Sequence, residues 1–257
     1  MYTGWCLRDV TIDRPRQDPA ETGYVTERAV ADAGPAGAGL LYDARRGVYY
    51  ARPVLRGWLH LLCFWASLAG GAVLLVRAHG AAQITAAAVY SASLSALFGT
   101  SALYHRGTWT VAWRLRLRHL DQAMIFFLIA GTSTPVFLLA APAGAGLVCL
   151  IVMWALTLTA VAIRLARAGG AELVAGALFI GLGCAGGLAL PWVWIHAGAA
   201  SGVLLLAGGL LYIAGALSYH RRWPDPYPSL FGYHEVFHVY VCAAAACQYA
   251  AIARFIG

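Results

Sequence analysis

From residue 51 onward, long apolar runs alternate with short polar or turn-forming stretches. The runs fall at about 57–77, 81–104, 120–140, 145–166, 172–192, 198–218 and 232–254. Each is near the ~20 residues that cross a hydrocarbon layer as a helix. RAHGAAQ, HRGTWTVAWRLRLR, APAGAG, RLARAGGAE, PWVWIHAG and RRWPDPYPSLFG separate them in order. The pattern predicts an all-α integral membrane protein, a seven-transmembrane-helix bundle over residues 51–257. The division between the fifth and sixth runs falls around Pro191; a six-span count requires that stretch to be one long helix or a re-entrant segment.

Residues 1–50 read differently. They hold seven of the eleven acidic residues together with Pro, Gly and Arg. That composition predicts a polar, mostly disordered cytoplasmic tail. Asp9, Asp13, Asp18, Glu21 and Glu27 interrupt any apolar h-region, so a cleavable signal peptide is not expected.

Charge sharpens the topology. Charged residues make up 11% of the chain, against about 25% in soluble domains, so the apolar excess must face lipid. All eighteen basic residues are arginine. The net charge of +7 is compatible with a nucleic-acid partner, but the arginines cluster in short loops, the pattern of membrane orientation. With the N-terminus inside, Arg45, Arg46, Arg52, Arg56, Arg106, Arg114, Arg116, Arg118, Arg164, Arg167, Arg221 and Arg222 are cytoplasmic, and Arg77 and Arg254 are outside. Twelve against two predicts a cell-membrane, multi-pass protein with a cytoplasmic N-terminus and the C-terminus outside, the reverse of G-protein-coupled receptors. No nucleic-acid partner is expected. The six cysteines form no CxxC pair, which argues against a disulfide framework or a thiolate zinc site.

Four acids lie beyond the tail: Asp121, Glu172, Asp225 and Glu235. Glu172 suits a helix N-terminus, and Asp225 sits in a Pro-rich turn. Asp121 and Glu235 instead stand where apolar runs begin, and ionisable groups inside spans are functional candidates. Ser101 and His105 close the second run four residues apart, hence on one face. Asp121 opens the third run, and His234 and His238 open the seventh at i, i+4. The predicted topology puts all of these at one depth on the cytoplasmic side. Three imidazoles there would make an open zinc site, with Asp121 orienting a ligand or water. His60, His79, His119, His196 and His220 read as lone interfacial or hydrogen-bonded histidines.

His234-Glu235-Val236-Phe237-His238 is also formally HExxH, the zinc motif of soluble metalloproteases. No His, Asp or Glu follows His238, so a third ligand has to come from earlier in the chain, and His105 is the best candidate.

At these residues the chain resembles the hemolysin III family, within the progestin and adipoQ receptor superfamily. The resemblance covers about residues 50–257. It rests on Ser101 and His105 as SxxxH, the Asp121 of RHLDQ, His234 and His238 as HxxxH, and the surrounding GTSTP and FGYHEVFH strings. It implies a seven-helix fold with a cytoplasmic N-terminus and a Zn2+ ion near the cytoplasmic face. It implies His105, His234 and His238 as ligands, with Ser101 and Asp121 contacting or orienting the water there. Ceramidases of the wider superfamily hydrolyse lipid amides, adiponectin-receptor relatives are linked to ceramide hydrolysis, and bacterial members are named for haemolysis.

The leading expectation is therefore a zinc-dependent membrane hydrolase, ceramidase-like, acting on a lipid amide or ester, with Asp121 and Ser101 as its catalytic residues and a membrane lipid as substrate. The alternatives are a pore-forming, cytolytic protein with a structural zinc, a receptor-like signalling module, and an HExxH intramembrane protease.

Overall fold

The computed structural model describes residues 24–26, 41–43, 48–50, 53–166 and 171–256. The 1–50 segment therefore lies largely outside the described residues, as does Arg167. Its described parts are three short strands, β1 Tyr24–Thr26, β2 Leu41–Asp43 and β3 Val48–Tyr50, in an antiparallel sheet of order β1-β3-β2.

The rest is helical: α1 Trp58–Arg77, α2 Gly80–Arg106, α3 Val111–Leu139, α4 Ala143–Ala166, α5 Ala171–Gly187, α6 Leu190–His196, α7 Ala199–Arg221 and α8 Tyr233–Ile252. Among the described residues, six helices are long and apolar enough to cross a membrane: α1, α2, α3, α4, α7 and α8. Their outward faces carry exposed Leu62, Trp65, Val76, Leu147, Ile151 and Leu210. No water-facing helix keeps such a surface, so the chain is a multi-pass membrane protein whose membrane part is helical.

Two boundaries differ from the sequence expectation. The third run was expected from about 120, but α3 begins nine residues earlier, at Val111. Thr110 caps it by accepting from the Trp113 N–H at 3.4 Å. Arg114, Arg116 and Arg118 thus ride an exposed helical extension with Leu117 turned inward. Arginine is a good helix former, and a charged stretch ends the apolar run without ending the helix. The fifth run, expected at 172–192, divides into the 17-residue α5 and the short α6. Pro191 sits in the first turn of α6, where its missing N–H costs no helical bond.

Helices α1, α2 and α8, with a face of α3, enclose one core around Leu74, Tyr90, Leu94, Phe98, Leu128 and Val241. A second core, around Phe126, Phe137, Met153, Leu182 and Val193, joins α3 to α4, α5 and α6. Helix α8 packs on α7 and also reaches α1 and α3. The GTSTP stretch makes the α2–α3 contact close. A Cβ on Gly131 would stand 1.9 Å from Ser93 Oγ, so only glycine fits. Three residues on, Thr134 Oγ1 donates to Ala130 O at 2.8 Å and accepts from Trp154 Nε1 at 3.1 Å, tying α3 to α4.

Candidate metal centre

One end of the first core collects polar groups from four helices. Helix α1 begins at this end and contributes His60 from its first turn. Helix α2 finishes here and contributes Ser101 and His105. Asp121 comes from the third turn of α3, and His234 and His238 come from the first two turns of α8. The helical repeat puts His234 above His238 on one face and Ser101 below His105 on another. The packing then turns both faces toward each other.

The three histidines singled out by spacing meet. One ring nitrogen from each of His105, His234 and His238 lies within 4.8 Å of the others, and the cluster could hold a metal ion. His105 Nε2 and His234 Nε2 are 3.2 Å apart. His105 and His238 are 7% and 2% exposed, so little water reaches the nitrogens. Asp121 stands beside the cluster, with Oδ2 3.8 Å from His105 Nε2.

A fourth histidine joins the site, one that sequence reasoning set aside. His60 is 3% exposed. Its ring stacks on His238, with centroids 3.7 Å apart and 14° between planes. Its Nδ1 lies 2.8 Å from Ser101 Oγ. When Ser101 Oγ accepts from His60, the imidazole proton is on Nδ1 and Nε2 is bare. His60 Nε2 is indeed buried without a hydrogen-bond partner. The other discounted histidines stay apart. His119 and His196 bond the carbonyls of Leu115 and Trp192 on their own helices, at 2.6 and 2.9 Å, and His79 precedes α2 with its N–H on Gln83. His220 is exposed at the end of α7.

The start of α8 is held by carboxylates. Glu235 Oε2 accepts from the Gly232 N–H at 2.8 Å, and Asp225 Oδ1 accepts from the Tyr233 N–H at 2.9 Å. Both satisfy orphan donors where the helix dipole favours an anion. The other oxygen of Glu235 pairs with the guanidinium of Arg56, and both residues are buried. Arg56 belongs to a segment that crosses the end of the bundle. Val54 and Leu55 donate their N–H groups to Ser229 O and Leu230 O at 3.1 and 3.2 Å. Gly57 follows at φ 79°, where a Cβ would stand 2.8 Å from the Cβ of His105.

The cluster could hold a metal ion: three imidazoles converge at ligand spacing, with the Asp121 carboxylate 3.8 Å from one of them. Sequence reasoning missed Arg56 and His60. A topology-based depth argument held a signal for His60, since the first turn of α1 lies at the same end as the other histidines.

The fold and this cluster define a multi-pass helical membrane protein with a buried trihistidine centre at one end of its bundle. A family model described as haemolysin-III related matches residues 48–249. The match spans all eight helices but the last turn of α8, and the chain belongs to that family, in keeping with the progestin and adipoQ receptor superfamily.

Proposed function

We propose that the chain is a seven-span membrane hydrolase, with its N-terminus in the cytoplasm, that cleaves lipid amides or esters using zinc held by His105, His234 and His238. The observation that carries this reading is the cluster itself. Three imidazoles have ligand atoms within 4.8 Å, and a carboxylate stands 3.8 Å from one of them. A structural zinc site takes four protein ligands, whereas three ligands beside an acid favour chemistry.

Counting α5 with α6 as one crossing gives seven spans. The excess of arginine at the end where α1 begins then supports a cytoplasmic N-terminus, with the C-terminus outside. The site lies at that end, within reach of lipid carbonyls in the cytoplasmic leaflet.

Bound zinc would supply a Lewis acid for the carbonyl and for water. Asp121, with Oδ2 3.8 Å from His105 Nε2, would take a proton from the attacking water. Ser101 would turn its hydroxyl hydrogen toward the developing oxyanion, while His60 holds Oγ in place. Glu235 is a poor candidate for the base of an HExxH protease, because one oxygen is tied to Arg56 and the other caps α8.

The test is hydrolysis by detergent-purified, zinc-loaded protein on ceramides and diacyl lipids, beside Asp121→Asn. Zinc binding without cleavage of any of them would overturn the reading. Family membership favours a second reading, a haemolytic pore-former in which the metal only ties α2 to α8. Liposome leakage unaffected by His238→Ala would favour it.

A further inference from the structure

We propose that Arg106 and Trp58 form a binding site for the phosphodiester of a membrane phospholipid, immediately beside the metal centre. A cavity of about 270 Å³ opens there, lined by Pro53, Val54, Arg56, Trp58 and Arg106. The Arg106 guanidinium sits over the indole of Trp58, its Cζ 3.6 Å from the ring centroid. Stacking of this kind uses the π face of the guanidinium and leaves its in-plane N–H donors free. No carboxylate faces Arg106 among the described residues. A fixed, planar fork of unpaired donors facing a cavity is the geometry that recognises phosphate oxygens.

Charge selects the kind of phosphate. Arg56 also lines the cavity, but Glu235 neutralises it. Among the described lining residues one positive charge remains, on Arg106, which matches a monoanionic phosphodiester better than a dianionic free phosphate. The rim selects a lipid over a soluble ester. Val54 is 68% exposed, Trp58 51% and Leu55 40%. Apolar and indole surface next to an arginine at the end of membrane-spanning helices is the usual arrangement at headgroup depth. Arg106 follows the candidate ligand His105 directly, and Gly57, between the lining residues Arg56 and Trp58, comes close enough to His105 that a Cβ on it would stand 2.8 Å from the His105 Cβ. A lipid held by its phosphate here would carry its glycerol carbonyls past the metal centre. The site holds whether or not that centre is catalytic.

The experiment measures lipid retention by native mass spectrometry on the detergent-purified full chain. The probes are phosphatidylglycerol, phosphatidylcholine, diacylglycerol with the same acyl chains, and glycerol phosphate as a competitor. Both phospholipids should be retained over diacylglycerol. Arg106→Gln should weaken their retention about tenfold, the scale of a lost charged hydrogen bond, with zinc content unchanged. Trp58→Leu should act in the same direction, Trp58→Phe should act less, and Arg106→Lys should fall between wild type and Arg106→Gln. Equal retention by wild type and Arg106→Gln would overturn the proposal. So would equal retention of diacylglycerol, or competition by glycerol phosphate at phospholipid concentrations, which would identify a free-anion site. If Arg106→Gln fails to fold, the Trp58 pair and Arg106→Lys decide.

Discussion

His60 lies flat against His238, 3.7 Å between ring centroids, while its Nδ1 reaches Ser101 at 2.8 Å. One imidazole thus touches a candidate metal ligand with its face and a candidate catalytic hydroxyl with its edge. Its action on any metal is indirect, since it orients groups that face the metal. Partners of this kind cost 10–100-fold in metal affinity or activity when removed, as a general magnitude. His60→Ala should lower zinc affinity by roughly tenfold or more. His60→Phe keeps the stacked ring and loses the bond to Ser101, so zinc affinity should largely survive while hydrolysis falls. Chelator competition and lipid turnover, measured on the same preparations, separate the two effects.

The ligand assignment makes a stoichiometric prediction. Purified wild type should carry about one zinc per chain, the complement of a single three-imidazole site. His105→Ala, His234→Ala and His238→Ala should each lose most of it. Chelation should lower the melting temperature of the wild type and leave the His238→Ala protein unmoved, because a ligand that binds only the folded state stabilises by mass action. Elemental analysis and a thermal-shift series check both points. Equal metal in all four proteins would refute the assignment.

Asp121 and Glu235 should behave oppositely. Asp121→Asn leaves three imidazoles in place, so zinc should stay while hydrolysis drops by about 10²–10⁴, the usual scale for a lost acid–base group. Glu235→Gln breaks a buried ion pair and should cost about 3–5 kcal/mol of stability by stranding Arg56. The double variant Arg56→Gln/Glu235→Gln should recover part of that loss and retain turnover. Melting curves beside turnover rates read both. Turnover lost in the double variant at full zinc occupancy would restore Glu235 as a catalytic group.

Much of this was legible from local pattern. The length of the apolar runs marked six membrane-length helices among the described residues, and i, i+4 spacing set His234 over His238 and Ser101 with His105. The arginine positions brought those pairs and Asp121 to one end before any packing was known. Other features depend on contacts that no local pattern encodes. His60 has no spaced partner in its own run, and its role appears only where α1 packs on α8 and α2. Arg56 reads as one more topology-setting arginine until its segment hydrogen-bonds residues 229–230 and delivers it to Glu235. Hydropathy alone could not separate α5 from α6, because Leu188 and Ala189 between them are as apolar as the helices. The early start of α3 had a local signal in Thr110, which the neighbouring arginines obscured.

Gly57 gives the last prediction, and it connects backbone conformation to the metal. Its φ of 79° is left-handed, where a side chain is disfavoured, at about 1–2 kcal/mol. Its Cβ would also meet the Cβ of His105 at 2.8 Å, and that atom begins a short side chain fixed by α2. The contact can be relieved only by moving His105 or by lifting the 53–57 segment from the end of the bundle. Gly57→Ala should therefore lower both thermal stability and zinc affinity. Gly80 also has a positive φ, 73°, but nothing lies within 4 Å of its would-be Cβ. Gly80→Ala should lose stability from backbone strain alone and keep its zinc affinity. Melting temperature and chelator competition on the two variants test the distinction. Equal zinc affinity in both would mean that the close approach of Gly57 to His105 does not shape the site.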